Sequence, residues 1–246
     1  MTRRRFQLEQ GRSAAASGPA LVEISAGEVR VEGQPFRLPG FRILRHPVTE
    51  LDFSAFVRDG GYERGEWWTE DGPLSFEERR EAFMGPRGTP GPLSIVEAPS
   101  LRPVSGVSWL EARAYARYRK MALPTRRQWL RAARGDAEHI YPWGDEFDPA
   151  RVDAGPEQPA EVGVHPSGRS RFGVEDLCGG VAEWCDDREG EAGEALVLGD
   201  HFRGIPDTWK LEVATPWPFE SRRLGFGFRL VTELPVRPMP TRITGR

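Results

Sequence analysis

Two cysteines, Cys178 and Cys185, are the first candidates for chemistry in this sequence of 246 residues. Thiolates bind soft metal ions, but the six residues between these two match no familiar ligand spacing, so we disfavour a metal pair here. Two cysteines are also too few for a disulfide framework. This usage is typical of a reducing compartment, and we predict a cytoplasmic protein.

Histidines are the second candidates, because neutral imidazole is a common metal ligand. The sequence has four of them, His46, His139, His165 and His201, and they form no local motif. Three could meet in space as an iron site of the facial kind found in oxygenases. We favour ordinary loop histidines and keep the iron site as the alternative.

Large aromatic residues and arginines are concentrated in residues 199–223, which we call the 199–223 segment. Four aromatics fall within eighteen residues, between Phe202 and Phe219. Aromatic residues mixed with arginine are typical of interface hot spots. We predict a binding surface here, for another protein or a small ligand. Its proposed residues are His201, Phe202, Arg203, Trp209, Trp217, Phe219 and Arg222. The alternative is that the aromatics only pack the segment.

Short strands and one helix are predicted in the first quarter of the chain. Residues 21–44 alternate in the manner of strands, with turns at Ala26-Gly27 and Pro39-Gly40. Thr49 then provides an N-cap for a short helix that Gly60-Gly61 closes. Residues 62–106 are rich in glycine, proline and charge, and their aromatics indicate a packed loop.

Two main helices are predicted in the middle of the chain. Ser108 begins a capping box, completed by Glu111, for a helix over 109–121. Thr125 caps a second helix over 126–134, which Gly135 ends. No convincing helix follows Tyr141.

The composition favours one folded domain with many loops. Glycine and proline number 28 and 22, and 38% of the residues are hydrophobic. The net charge is only −3, with 34 basic and 37 acidic residues interspersed, so neither nucleic acid nor a membrane is expected as partner. We predict a disordered segment over 1–18, a domain over 19–234 and a tail over 235–246.

Five motifs in order resemble the formylglycine-generating enzyme (sulfatase-modifying factor) family, over roughly residues 35–232. They are FRILRHPVTELDFSAFV, the stretch RPVSGVSWLEARAYARYRKMALPTRRQWLRAARG, YPWG, FGVEDLCGGVAEWCDD and GFGFRLV. The resemblance implies an α+β, C-type-lectin-like fold: a twisted antiparallel sheet, two main helices and much ordered loop. The residues agree, because small residues and turns flank four tryptophans as they would flank buried anchors of a loop-rich fold: Trp109, Trp129, Trp143 and Trp184.

Catalytic members of that family, by the same resemblance, hold copper with two cysteines in the segment before the final Gly-Phe-Arg. Residues 197–230 of this chain contain no cysteine, and Leu198-Gly199-Asp200-His201 replaces the usual Arg-Gly-Gly-Ser run. Cys185 fills a place where relatives often carry cysteine, so we interpret it as a small buried residue. Formylglycine formation is therefore not expected.

Calcium is the cofactor that the resemblance leaves open, since relatives commonly bind it through the loop matching Gly179–Asp187. The Asn of that motif is Gly180 here, while Glu183 remains as the best candidate ligand. The alternative is that these carboxylates are solvated or paired with arginine.

We thus predict a non-catalytic recognition module that binds through the 199–223 segment and needs no cofactor. The alternative is a metal-dependent oxidoreductase with a non-cysteine site that includes His201, although the family's sulfoxide-synthase branch adds a helical domain for which this chain has no room.

Overall fold

The computed structural model describes residues 20–68, 76–86, 88–95, 98–155, 157–187 and 193–234. The predicted disordered segment, residues 1–18, and the predicted tail, residues 235–246, lie outside these ranges. Four α-helices and nine strands occur in the described part. The helices are α1 Glu50–Arg58, α2 Phe76–Ala82, α3 Trp109–Tyr118 and α4 Arg126–Arg134. The strands are β1 Leu21–Ile24, β2 Gly27–Val31, β3 Gln34–Leu38, β4 Phe41–Leu44, β5 Ala182–Trp184, β6 Glu194–Leu198, β7 Ala214–Pro218, β8 Phe226–Gly227 and β9 Val231–Glu233.

Three of these helices begin at capping boxes, as their sequences require. In each helix, the side-chain hydroxyl of the N-cap residue accepts a hydrogen bond from the backbone N–H three residues later, and the side chain of that later residue accepts one from the N-cap backbone N–H. The pairs are Thr49 with Asp52, Ser108 with Glu111, and Thr125 with Gln128. Gly135 ends α4 at φ +72°, a conformation that glycine adopts without strain. The predicted starts of all three helices are confirmed.

The strands form three small sheets. One has the order β1-β4-β9 and is antiparallel, and β2 and β3 form a hairpin beside α4. The third has the order β7-β6-β5-β8, in which β5 and β8 run parallel. That parallel pair departs from the antiparallel expectation, and it arises because β6 and β7 are added on one side of β5 and the chain then crosses to add β8 on the other side. The α+β class is confirmed.

The core has two parts, one on each main helix. The first gathers around α1 and α3 and contains Trp109, Trp184 and Phe228, all fully buried. The second gathers around α4 and the β1–β4 sheet and contains Trp129. Three of the four tryptophan anchors are thus confirmed, whereas Trp143 is only half-buried, because it stacks on Tyr141 at the lining of a cavity.

The described parts of the region from 62 to 106 are packed, as its aromatics indicated, and they contain a helix that the sequence did not reveal. Trp68 stacks on Phe83 with ring centroids 5.6 Å apart, and the Trp68 indole donates to the carbonyl of Gly61. Helix α2 precedes Phe83 and has seven residues, too few for a periodic apolar pattern to stand out. No helix of the described ranges is long and apolar enough to cross a membrane.

Candidate functional site

A pocket of about 220 Å³ lies between the third sheet and the loop that follows β6. We call it the Trp217 pocket. Strands β5, β6, β7 and β8 supply the walls and the 200–213 loop supplies most of the polar groups. Its lining includes Asp200, His201, Thr208, Trp217, Arg223 and Phe226. Most of the lining therefore comes from the segment in which the sequence predicted a binding surface.

His201 is held at the pocket by its neighbours in one orientation. Its Nδ1 accepts the backbone N–H of Arg203 at 3.1 Å, so a neutral ring carries its proton on Nε2. Gly225, at φ +101°, passes so close that an added Cβ would lie 2.7 Å from Cγ of the ring. Glycine is thus required at 225 for both its backbone conformation and this contact.

Asp200 stands beside that ring and is in a strained backbone conformation. Its φ is +29°, a region that residues other than glycine rarely adopt. The carboxylate accepts the backbone N–H of His201 at 2.7 Å, and its Oδ1 lies 3.9 Å from Nε2 of the ring. Strain of this kind is concentrated at functional sites in proteins. The arrangement leaves a carboxylate and an imidazole N–H on one wall of the pocket.

Arg223 supplies the positive charge of the pocket. Its guanidinium lies 4.4 Å from the ring centroid of Trp217 and 6.0 Å from that of Phe226, within the range of cation–π attraction. The residue is exposed, and in the described part of the chain it forms no ion pair. The arginines of the segment, Arg223 among them, were part of the predicted surface, whereas Asp200 was not a candidate, although the changed Leu-Gly-Asp-His run marked its position.

Three of the aromatics predicted for the surface are instead buried: Phe202, Trp209 and Phe219. Phe219 stacks on Trp109 at 4.1 Å, and Trp209 stacks on Phe147 at 5.8 Å. The Trp209 indole also donates to the carbonyl of His201 at 3.0 Å. The prediction that these rings form a surface is wrong, because Trp209 and Phe219 pack against aromatic rings from distant parts of the chain and Phe202 is buried as well.

The two arginines of the predicted surface differ from each other. Arg222 turns inward, where its Nε lies 3.1 Å from the buried carboxylate of Glu111, and it donates to the carbonyls of Met84 and Gly91. It holds loops together and does not form a surface. Arg203 is exposed, over the ring of Phe202, outside the pocket lining.

Glu183, the candidate calcium ligand, is fully buried and already engaged. Its two oxygens accept from Arg229, at 2.6 Å from Nε and 2.7 Å from Nη2, and one also accepts from the indole of Trp129 at 2.9 Å. A carboxylate bound this way has little left to offer a cation, so this residue does not fit calcium. The alternative, pairing with arginine, is what the structure shows.

The thiols do not fit a copper site. Cys178 and Cys185 are buried and unpaired, and neither lines the Trp217 pocket. Burial raises the pKa of both thiols, with Glu183 adding to the shift at Cys178 and Asp187 at Cys185. The thiolate that binds copper is therefore disfavoured at both positions.

The four histidines do not meet either. His46 lies 3.0 Å from Asp176, His139 lies 3.3 Å from Asp145, and His165 contacts the carbonyl of Ala150. Within the ranges that the structure describes, no group of three or more His, Cys, Asp or Glu side chains is placed to hold a metal ion. The hypothesis that three histidines form an iron site is wrong.

Comparison with known proteins identifies the class. The model of the sulfatase-modifying factor enzyme 1-like domain matches residues 7–234, so the chain belongs to this family. Among its relatives are the hercynine oxygenase of Mycolicibacterium smegmatis, 36% identical over 161 residues, and the inactive C-alpha-formylglycine-generating enzyme 2 of Mus musculus, 31% identical over 202 residues.

These matches cover the relatives only in part. The first spans 60% of this chain and 37% of the oxygenase, and the second spans 70% of this chain and 63% of the mouse protein. Among solved structures, PvdO from Pseudomonas aeruginosa has a TM-score of 0.66 at 18% identity, over 88% of this chain and 95% of that one. Treponema denticola variable protein 1 reaches 0.60 at 15% identity, over 87% and 95%. Both show the shared fold.

Proposed function

We propose that this domain is a non-catalytic recognition module, whose Trp217 pocket binds a small carboxylate ligand or one such group of a partner protein. The observation that carries the proposal is that the charge of Arg223 is exposed and not neutralised. It is exposed on the pocket wall against Trp217, and no carboxylate of the described residues neutralises it. Arginine suits carboxylate recognition because its planar fork donates two parallel hydrogen bonds.

The size of the pocket limits the ligand. Pockets for drug-sized ligands usually range over roughly 300–1,000 Å³. At about 220 Å³, this one fits a molecule the size of an amino acid or a single side chain. A whole peptide would contact it only through one residue.

The wall formed by Asp200 and His201 indicates a second group on the ligand. Asp200 presents a carboxylate and His201 an Nε2–H beside it. A ligand with an amino group and a carboxylate would match both walls, because Asp200 accepts from the amine while Arg223 donates to the carboxylate. A free α-amino acid has this arrangement of charges.

The test is calorimetry and thermal shift of the full chain with a panel of free amino acids. Arg223→Ala and Trp217→Ala should each weaken binding by about tenfold or more, since hydrogen bonds to charged groups contribute roughly 1.5–3 kcal/mol. The matched control is Arg203→Ala, an exposed arginine of the same segment outside the pocket. Equal loss in the control, or unchanged binding in Arg223→Ala, would refute the assignment.

The second candidate function is a part in an oxidoreductase, favoured by the relatives named hercynine oxygenase. We place it second because the described residues gather no metal ligands around His201. Metal analysis of protein purified without chelator separates the two: stoichiometric iron or copper supports the oxidoreductase. We also propose a cytoplasmic location, on the basis of the two unpaired thiols.

A further inference from the structure

A second cavity, of about 660 Å³, lies on a different part of the molecule from the Trp217 pocket and has a wall of arginines. We call it the arginine cavity. Its lining includes Arg134, Arg151, Arg169, Arg171, His139 and Trp143, and shares no residue with the Trp217 pocket. None of its described lining residues is acidic. We infer that this cavity is a binding site for a phosphate-bearing small molecule.

Four arginines line this cavity because short elements are packed tightly. Arg134 is the last residue of α4, Arg151 ends the turn Pro149–Arg151, and the other two follow the turn Pro166–Gly168. Gly168 lies so close to Arg151 that an added Cβ would be 2.2 Å from its carbonyl oxygen. The two turns are thus in contact, and the arginines on them share one wall.

The charges of this wall are only partly neutralised. Arg171 pairs with Asp136, and Arg151 pairs with Asp148 at 2.9 Å. Each of these four side chains is at least 36% exposed. Exposed pairs of this kind contribute little, so an incoming anion can compete for the same arginines. Arg169 is exposed and has no ion-pair partner among the described residues.

One arginine of the wall is committed to the fold. Arg134 is buried, and it pairs with Glu212 and donates to the carbonyl of Arg30. The C-terminal end of α4 adds a partial negative charge that disfavours an anion. Glu212 balances the charge of Arg134, and the unpaired charge of Arg169 exceeds that half charge, so the wall keeps a net positive charge.

Phosphate is the anion that this geometry fits best. Several arginines around one concave site can donate to three oxygens of a phosphate group together, whereas a carboxylate has two. Trp143 forms part of the same wall, stacked on Tyr141 at 5.3 Å, and gives the site a fluorescent reporter. The cavity has room for more than a single phosphate, so we use pyrophosphate as the probe.

The test is calorimetric titration of the full chain with pyrophosphate, and with inorganic phosphate and sulfate for comparison. Pyrophosphate should bind at a one-to-one ratio and more tightly than sulfate at equal ionic strength. Arg169→Glu should weaken binding by about tenfold or more, because it converts an unpaired donor of the wall into a repelling charge. Since Arg169 is exposed, the melting temperature should not change.

Two further variants make the outcome specific. Arg58→Glu makes the same charge change on an exposed residue outside the cavity and should leave the affinity for pyrophosphate unchanged. Trp143→Phe should keep binding and remove most of the fluorescence change that accompanies it. Equal weakening by Arg58→Glu, or equal affinity for sulfate and pyrophosphate, would mean a general electrostatic attraction and would overturn the assignment.

Discussion

Glu183 and Arg229 form a bidentate ion pair at the centre of the domain, and both side chains are buried. Arg229 also donates to the carbonyls of Leu44, Arg45, Glu175 and Asp176. The pair thus connects β5, which contains Glu183, with the segment between β8 and β9, which contains Arg229. The same arginine connects both to the end of β4 and to the loop before β5. A buried charge is tolerated when its partner and its remaining donors are all satisfied, as they are here.

Removing one partner of this pair should be costly. Arg229→Ala leaves the carboxylate of Glu183 buried and without its countercharge, and we expect a loss of about 3–5 kcal/mol in the free energy of unfolding. Chemical denaturation measures it. Arg203→Ala, an exposed arginine, should stay within about 0.5 kcal/mol. A loss in Arg229→Ala no larger than in Arg203→Ala would show that the pair is not structural.

Calcium should not act through Glu183. Both carboxylate oxygens already accept hydrogen bonds, from Arg229 and Trp129. We expect millimolar calcium to leave the melting temperature of the wild-type protein unchanged. A rise that Glu183→Asn abolishes, measured in a variant confirmed to be folded, would show that the loop opens to bind the ion.

The tryptophans should separate into two classes by stability. Trp129 and Trp209 are both buried, so Trp129→Ala and Trp209→Ala should each cost about 3–5 kcal/mol in denaturation. Trp217 is half-buried on the pocket wall and should cost less. Trp217→Ala should instead reduce ligand binding. A mild effect of Trp209→Ala would contradict the packing against Phe147.

Both thiols should be inert in the folded protein. Burial raises the pKa of Cys178 and Cys185 above the ordinary value of 9.0, so iodoacetamide at pH 8 should label neither. Intact mass measures the labelling, and both should react in guanidinium. Rapid labelling under native conditions would contradict the burial.

The same raised pKa values give a pH dependence of stability. The folded state keeps both thiols protonated, while the unfolded state ionises them above about pH 9. The stabilising contribution is complete below that pH and is lost as the pH rises further. The Cys178→Ala, Cys185→Ala double variant should lose less unfolding free energy between pH 8 and pH 10 than the wild type does.

Formylglycine formation should be absent, with or without copper. Residues 197–230 contain no cysteine, and the Trp217 pocket has no thiol in its lining. Mass spectrometry of a sulfatase-type cysteine peptide incubated with the protein should show the unmodified mass. An aldehyde product at catalytic turnover would contradict the recognition-module proposal.

The sequence by itself determined the features that depend on neighbours along the chain. The three capping boxes bind groups three residues apart, so Thr49, Ser108 and Thr125 mark helix starts without any tertiary contact. Gly135 likewise marks an end through its own backbone freedom. Ordered motifs gave the family and with it the fold class. For the pocket, the sequence predicted only that residues 199–223 form a binding surface.

Only the tertiary structure decided which side chains of that segment face solvent. An aromatic residue in a core and one at an interface have the same composition signal, and the difference lies in partners such as Phe147 for Trp209 and Trp109 for Phe219. Glu183 pairs with Arg229, which lies 46 residues later in the sequence. The lining of the arginine cavity comes from α4 and from two later turns. Contacts at such separations depend on how the elements pack, and no local pattern of residues encodes them.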